Sequence, residues 1–429
     1  MTVLKPRNLV TRPANRRVTL ADVASLAGCS TAIVSTVINR ASSSAGASPN
    51  LIRRIKQAAR ELDYRPDFAS QSLARRSTRT IGVYVPPETG SSLAYPYEAA
   101  IIRGIEQVCQ QRNYDLLAIN LTGKTTPQGC FHKFTERRID GLVLLHVPDE
   151  ADWVGALLER YPHVASVNYY GPVQRLLTVN FDDHAATALA VQHLVELGHT
   201  RIAYIGPASL NPGPGAVLRC QGFQDAMRAH GLPIVPQWIW DRSNPQAAMP
   251  TQGLDLFDSG EAAVDQLFSS SPSLAGSARP TALVCYGDLT AIRATRQLKK
   301  YGLTVPRDVS VVGIDDMELC RHVDPPLTSI RQPLEDMGRR ITALLFDRKP
   351  GKKGLDPVSA GDEDPIAPPA PELVAPTLVV RESTARPSSP QATRPGSLQA
   401  TTVHNAPVVG AALAPFDPEV LATPGRSTS

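Results

Sequence analysis

Val18-Thr-Leu-Ala-Asp-Val-Ala-Ser-Leu-Ala-Gly-Cys-Ser-Thr-Ala-Ile-Val-Ser-Thr-Val-Ile-Asn39 reads as two short helices joined by a tight turn. Thr19 is placed to cap the first helix with Asp22 three residues on, and Val23, Leu26 and Ala27 recur at helical spacing as its inner stripe. Gly28 supplies the stop. Ser30 caps a second helix in which Ile33, Val34, Val37 and Ile38 face inward, leaving Thr31, Ala32, Ser35 and Thr36 facing out. Ser48 and Pro49 make a cap followed by a first-turn proline, and Leu51, Ile55, Ala58 and Leu62 carry an apolar stripe along a third helix. Three short helices then share one small core. The arrangement is a helix-turn-helix, whose second helix suits the major groove of DNA.

Charge divides the chain at the same place. Residues 1–80 hold 14 Lys and Arg against 4 Asp and Glu, a net of +10, so the remainder carries −6 and the total of +4 conceals the split. A basic module joined to an ordinary acidic domain is the electrostatic footprint of nucleic-acid binding. At 429 residues and 42% hydrophobic side chains, the chain has material for a small domain and a large one. No run of eighteen apolar residues and no signal-peptide core occur, so a cytoplasmic protein without a membrane partner is expected. Cys29, Cys109, Cys130, Cys220, Cys285 and Cys320 are scattered without a CxxC pair and read as free thiols. Gly213-Pro-Gly215 is no phosphate-binding fingerprint, and neither a Gly-Lys-Ser/Thr loop, a His/Glu metal cluster nor a nucleophile elbow is present. The expectation is no metal, no cofactor and no enzyme.

From Thr80 onward, apolar strand-length runs alternate with helices: 81–85, 99–111, 115–120, 141–146, 151–159 and 164–168, then 183–197, 201–205, 219–230, 259–268, 282–286, 288–300 and 309–314. Such alternation implies parallel sheets covered on both faces, here in two similar α/β halves. A small ligand is expected in the cleft outside the carboxyl ends of the strands. Residues 349–375 are rich in Pro, Gly and Asp and read as an enlarged loop before a last apolar piece at 377–380. The tail 385–429 is Pro/Ala/Ser/Thr-rich and is expected to be disordered. Residues 1–17 are basic and unpatterned, either an arm toward DNA or a solvated tail.

Taken together, Val18-Thr-Leu-Ala-Asp-Val-Ala, Ala27-Gly-Cys-Ser, Val34-Ser-Thr-Val-Ile-Asn39, Leu62-Asp-Tyr-Arg-Pro66, Gly198-His-Thr-Arg-Ile-Ala203, Val311-Val-Gly-Ile-Asp-Asp316, Pro326-Leu-Thr-Ser-Ile330 and Val380-Arg-Glu-Ser-Thr384 resemble the LacI/GalR family of bacterial transcription regulators. The resemblance implies an N-terminal three-helix DNA-binding domain (18–65), a hinge helix and linker (66–79) and a two-subdomain, type I periplasmic-binding-protein-like α/β core (80–384). The first subdomain would take about 80–180 and 331–348, the second about 181–330 and 376–384. It also implies a hinge helix around 67–76 in which Leu73 wedges into the minor groove beside Ala69, with Arg75 near the DNA; a Leu there also suits an ordinary interhelical contact. Paired hinge helices require a homodimer reading a near-palindromic, double-stranded operator.

On that template Thr31, Ala32 and Thr36 face the bases, Ser30, Ser35 and Asn39, with Arg53, Arg54 and Lys56, face phosphates, and Thr19 is also DNA-binding; the phosphate set equally suits solvated helix ends. Thr36 stands where the family usually has Arg, so the bidentate guanine contact is missing, along with its discrimination of about 1–3 kcal/mol. The effector set implied by the resemblance is Tyr97, Asn168, Arg219, Asp288 and Asp315, with Gly287 replacing a usual Asn. Asp288 also suits a helix cap, and Tyr97 a core position. The implied function is a repressor controlled by a small metabolite, a sugar or its derivative. The alternative is a regulator without effector response, whose core only dimerises.

Overall fold

The computed structural model describes residues 17–39, 47–75, 77–85, 95–119, 126–147, 152–173, 175–208, 213–242, 244, 259–268, 279–347 and 371–387. Residues 1–16 of the basic arm, 349–370 of the enlarged loop and 388–429 of the tail lie outside that set, as do the side chains of Asn39, Ala69 and Leu73.

The N-terminal helices are α1 (Leu20–Ala27), α2 (Thr31–Asn39), α3 (Pro49–Glu61) and α4 (Phe68–Arg75). Val23, Ala24, Ala27, Val34, Ile55 and Ala58 form the small core of the first three. Leu26, expected on the inner stripe, is instead exposed. At about 100° per residue, Leu20, Val23, Ala24 and Ala27 share one face of so short a helix and Leu26 falls beside it.

The rest of the chain builds two six-stranded sheets. The first contains β1 (Thr80–Tyr84), β2 (Asp115–Ile119), β3 (Gly141–Leu145), β4 (Val164–Val167), β5 (Leu177–Phe181) and β11 (Glu372–Val374), in the order β11-β5-β4-β3-β1-β2 with every pair parallel. The second contains β6 (Ile202–Ile205), β7 (Ile239–Trp240), β8 (Ala282–Cys285), β9 (Ser310–Asp315), β10 (Thr328–Arg331) and β12 (Thr377–Val379), in the order β12-β10-β9-β8-β6-β7. Only β12 runs antiparallel to its neighbour. Helices α5 (Pro96–Arg112), α6 (Thr126–Thr135), α7 (Trp153–Arg160) and α12 (Leu334–Asp347) belong to the first half, and α8 (Asp183–Glu196), α9 (Pro214–Ala229), α10 (Ser259–Phe268) and α11 (Asp288–Lys300) to the second. The inner strands are buried along nearly their whole length, as parallel strands between helix layers must be, whereas the edge strands β2, β11 and β12 are partly exposed. Helices α5 and α12 approach so closely that a Cβ on Gly104 would lie 2.0 Å from Glu335 O, and one on Gly338 2.1 Å from Ile101 O.

Three boundaries differ from the sequence reading. The division expected after residue 180 cuts β5, which belongs wholly to the first sheet. Glu372–Val374, expected within the enlarged loop, is a strand: the four residues between Pro371 and Pro376 carry no legible period, and pairing with β5 makes the strand. Ala385, expected to begin the tail, is pinned to the core. Its carbonyl accepts from His199 Nε2 at 2.9 Å and its N–H donates to Ser310 Oγ at 3.0 Å. The chain crosses between sheets after β5, after β10 and between β11 and β12.

Candidate functional site

The first candidate surface is the outer face of α2. The Thr19 N–H and hydroxyl both donate to Asp22 Oδ2 at 2.8 Å, tying the start of α1. Gly28 ends α1 at φ 66°, a left-handed turn that glycine adopts without strain. Ser30 Oγ accepts from Ile33 N at 3.4 Å and caps α2, as the sequence predicts. Thr31 and Ala32 are exposed, and Ser35 and Thr36 half-exposed. The Thr36 hydroxyl donates to Ala32 O at 2.9 Å, so it is turned back on the helix. Arg54, expected among the phosphate binders, donates through Nη2 to Ala27 O and closes the end of α1. Arg53 and Lys56 are exposed, as is Arg75 in the last turn of α4. Arg17 pairs with Asp67 at 3.2 Å, just before α4.

The linker after α4 is held by one carboxylate. Asp140, buried at the entrance to β3, accepts from Ser77 Oγ at 2.5 Å, Thr78 N at 2.7 Å, Thr78 Oγ1 at 2.8 Å and Arg79 N at 2.8 Å. These bonds fasten the segment that follows α4 to the start of β3.

The second candidate surface lies at the carboxyl ends of the strands. Arg219, on α9, is buried and each nitrogen of its guanidinium donates a hydrogen bond. Nε donates to Asp183 Oδ1 at 2.6 Å, Nη1 to Tyr286 O at 2.5 Å and Nη2 to Gln332 Oε1 at 3.4 Å, while Asp315 Oδ1 lies 3.7 Å from Nη2. The guanidinium also sits 4.7 Å over the Tyr286 ring. Burial opposes its charge, but Asp183 and Asp315 outweigh it and push its pKa above the usual range. Asp183 receives a second bond, from Tyr170 OH at 2.7 Å. Both Asp183 and Gln332 follow strands at which the chain crosses between sheets, so this network spans the two halves.

Tyr97 joins it from the other half. Its hydroxyl accepts from Asn168 Nδ2 at 2.8 Å and Gln332 Nε2 at 3.0 Å, and its ring lies 5.2 Å from that of His146. Asn168 Oδ1 accepts from Phe181 N at 2.8 Å, so its amide is held on both ends. Asp315 has φ 114°, an uncommon conformation for a residue with a side chain and the kind of strain that collects at functional sites. The next residue, Asp316, is also at positive φ, 54°, and its carboxylate pairs with Arg331 at 2.7 Å and Arg381 at 2.5 Å. Burial, the largest influence, drives the Asp315 carboxyl well above its ordinary pKa although Arg219 pulls the other way. The structure thus brings Tyr97, Asn168, Arg219 and Asp315 together.

Asp288 does not join them. It is fully buried and accepts from Ser329 Oγ at 2.6 Å and Met317 N at 2.7 Å, tying the loop after β9 to β10. Burial pushes its pKa up to about 6. Its expected effector contact gives way to this internal role, because the side chain turns under Gly313, where a Cβ would meet Asp288 Oδ1 at 2.3 Å.

Residues 19–67 match the family described as bacterial regulatory proteins, lacI family, and residues 191–384 match a periplasmic binding protein-like domain. The HTH-type transcriptional repressor CytR of Escherichia coli K12 is 32% identical over 336 residues, 78% of this chain and 90% of CytR. The chain belongs to the LacI family of bacterial regulatory proteins. As in its relatives, the family assignment makes it a transcriptional regulator and not an enzyme. The HTH-type transcriptional regulator CelR of Thermobifida fusca is 32% identical over 79% of this chain and 93% of CelR. Among solved structures, the lac repressor dimer bound to operator and the anti-inducer ONPF aligns at TM-score 0.65 and 25% identity, covering 86% of this chain and all of that one. A CelR–cellobiose complex aligns at TM-score 0.56 and 27% identity with the same coverage.

Within this LacI-family frame, the sequence reading missed Glu98, His146, Tyr170, Asp183, Tyr286 and Gln332. Four of them carried a positional signal: His146 and Tyr286 follow β3 and β8, and Asp183 and Gln332 follow the crossing strands β5 and β10. Glu98, in the first turn of α5, carried none.

Proposed function

We propose that this LacI-family regulator is a repressor that binds a near-palindromic operator as a homodimer in the cytoplasm, and that a small metabolite held between the core halves changes its affinity for DNA. The DNA-binding segment is taken as 18–65, the hinge and linker as 66–79 and the core as 80–384. Thr31, Ala32 and Thr36 meet base edges, Thr19, Ser30, Ser35 and Asn39 meet phosphates, and Ala69, Leu73 and Arg75 of α4 meet the minor groove.

One observation carries the reading: a single hydrogen-bonded network, Tyr97–Gln332–Arg219–Asp183, joins residues from both halves at the place where the chain crosses between them. A ligand that inserts there favours one arrangement of the halves over another, and the Asp140 contact passes that choice to the linker. The names of the relatives support the repressor reading, and the lac repressor dimer on operator and CelR with cellobiose support dimeric DNA binding and a sugar or sugar derivative as effector.

The test is retention of genomic DNA fragments by the purified protein at near-physiological salt, with and without candidate metabolites, followed by sequencing of the bound pool. An enriched near-palindrome whose retention responds to a metabolite is expected. A pool without enrichment under every condition refutes specific repression. An enriched site indifferent to all metabolites leaves the core as a dimerisation scaffold.

A further inference from the structure

The cleft is unbalanced in charge. Glu98 is 2% exposed; its Oε1 lies 3.0 Å from His146 Nε2, while Oε2 has no hydrogen-bond partner among the described residues. Asp315 Oδ1 likewise accepts no hydrogen bond, with Arg219 Nη2 at 3.7 Å. Glu98 reaches the same network by contact: His146, 3.0 Å from it, lies with its ring 5.2 Å from that of Tyr97, whose hydroxyl is joined through Gln332 to Arg219, and its charge also raises the pKa of Asp315 and Tyr286. The guanidinium of Arg219 is held by Asp183, the Tyr286 carbonyl and Gln332, and its charge is already balanced by Asp183 at 2.6 Å. Gly287 contributes no side chain over Asp315, whose Oδ2 would be 3.4 Å from a Cβ placed there. A buried acceptor without a donor is costly in the free protein and is relieved by a ligand that supplies one.

We propose that Glu98 sets the charge class of the effector: the cleft takes a molecule that offers hydrogen-bond donors and carries no negative charge, one donor going to Glu98 Oε2 and another to Asp315 Oδ1. This rests on reading the cleft as the effector site. Hydroxyl groups of a neutral sugar or nucleoside and the ammonium of an amino sugar share that donor chemistry. A phosphate or carboxylate lacks it and meets the buried carboxylate of Glu98, while the charge of Arg219 is already balanced by Asp183.

The experiment is calorimetric titration and thermal shift of the full chain with matched probe sets: neutral sugars and nucleosides, their amino counterparts, and their phosphorylated or carboxylated counterparts. At least one neutral or amino probe is expected to bind, with its anionic partner weaker by about 100-fold or more. Preference for the amino over the neutral member identifies the ammonium as the donor, and equal binding identifies hydroxyls. Glu98→Gln removes the charge and keeps one acceptor, and is expected to narrow the discrimination by at least about tenfold; Asp315→Asn is the second variant. An anionic probe binding as tightly as its parent overturns the proposal on the unaltered protein while leaving the effector reading intact. Binding by no probe overturns the effector reading itself.

Discussion

Replacing Asp140 with Asn tests the link between the core and the DNA-binding segment. The carboxylate accepts two bonds at Oδ1, from Thr78 N and Thr78 Oγ1, and two at Oδ2, from Ser77 Oγ and Arg79 N. An Asn amide keeps one acceptor oxygen and turns an NH2 toward the other pair of donors. Two charge-assisted bonds are lost at about 1.5 kcal/mol each, so the docked linker is destabilised by about 3 kcal/mol. That is roughly a 150-fold change in the ratio of docked to released linker. Ser77→Ala removes one of the four and is expected to produce about a tenfold change. The assay is native-state hydrogen exchange at the Thr78 and Arg79 amides, with operator affinity measured on the same samples. Exchange faster by about 100-fold in Asp140→Asn is expected, accompanied by weaker operator binding, while the β8 and β9 amides of the other sheet keep their protection. Unchanged exchange at Thr78 and Arg79 refutes the reasoning, because it means that these bonds do not hold the linker.

Thr36→Arg on the exposed face of α2 is expected to favour operators with guanine at the facing position by about 1–3 kcal/mol, read by binding to a randomised operator library. Gly287→Asn is expected to fold normally, since φ −155° suits any residue and the position is the N-cap of α11, and to raise stability by a few tenths of a kcal/mol in urea unfolding. The same variant is expected to weaken effector binding in calorimetry, because its side chain extends toward Asp315. Asp288, with its pKa raised to about 6, contributes stability that is present below its unfolded value near 3.8 and is lost as pH rises through about 6. Asp288→Asn is therefore expected to flatten the loss of stability between about pH 4 and 6, measured as urea midpoints across that range.

What the sequence alone determined is chemistry that acts over a few residues. The Thr19–Asp22 bond, the Gly28 turn, the Ser30 and Ser48 caps and the alternation of buried strands with helices are set by neighbours three or four positions away. The basic N-terminal segment needs only a count. Arg219 and Asp315 were legible through the resemblance, but not the state of their side chains. The tertiary structure decided what depends on approach between distant segments. Tyr97 meets Gln332 across 235 positions, Arg54 reaches Ala27 across 27, and Asp140 gathers the linker from about 60 positions away. It alone turned Glu372–Val374 into a strand, since three residues become one only when β5 is beside them. It also separated two aspartates that look alike in sequence, leaving Asp315 in the cleft and folding Asp288 inside. The physical reason is the same in each case: a cap or a period is fixed by the local backbone, whereas the partner of a buried charge is fixed by whichever strand end the folded chain sets opposite it.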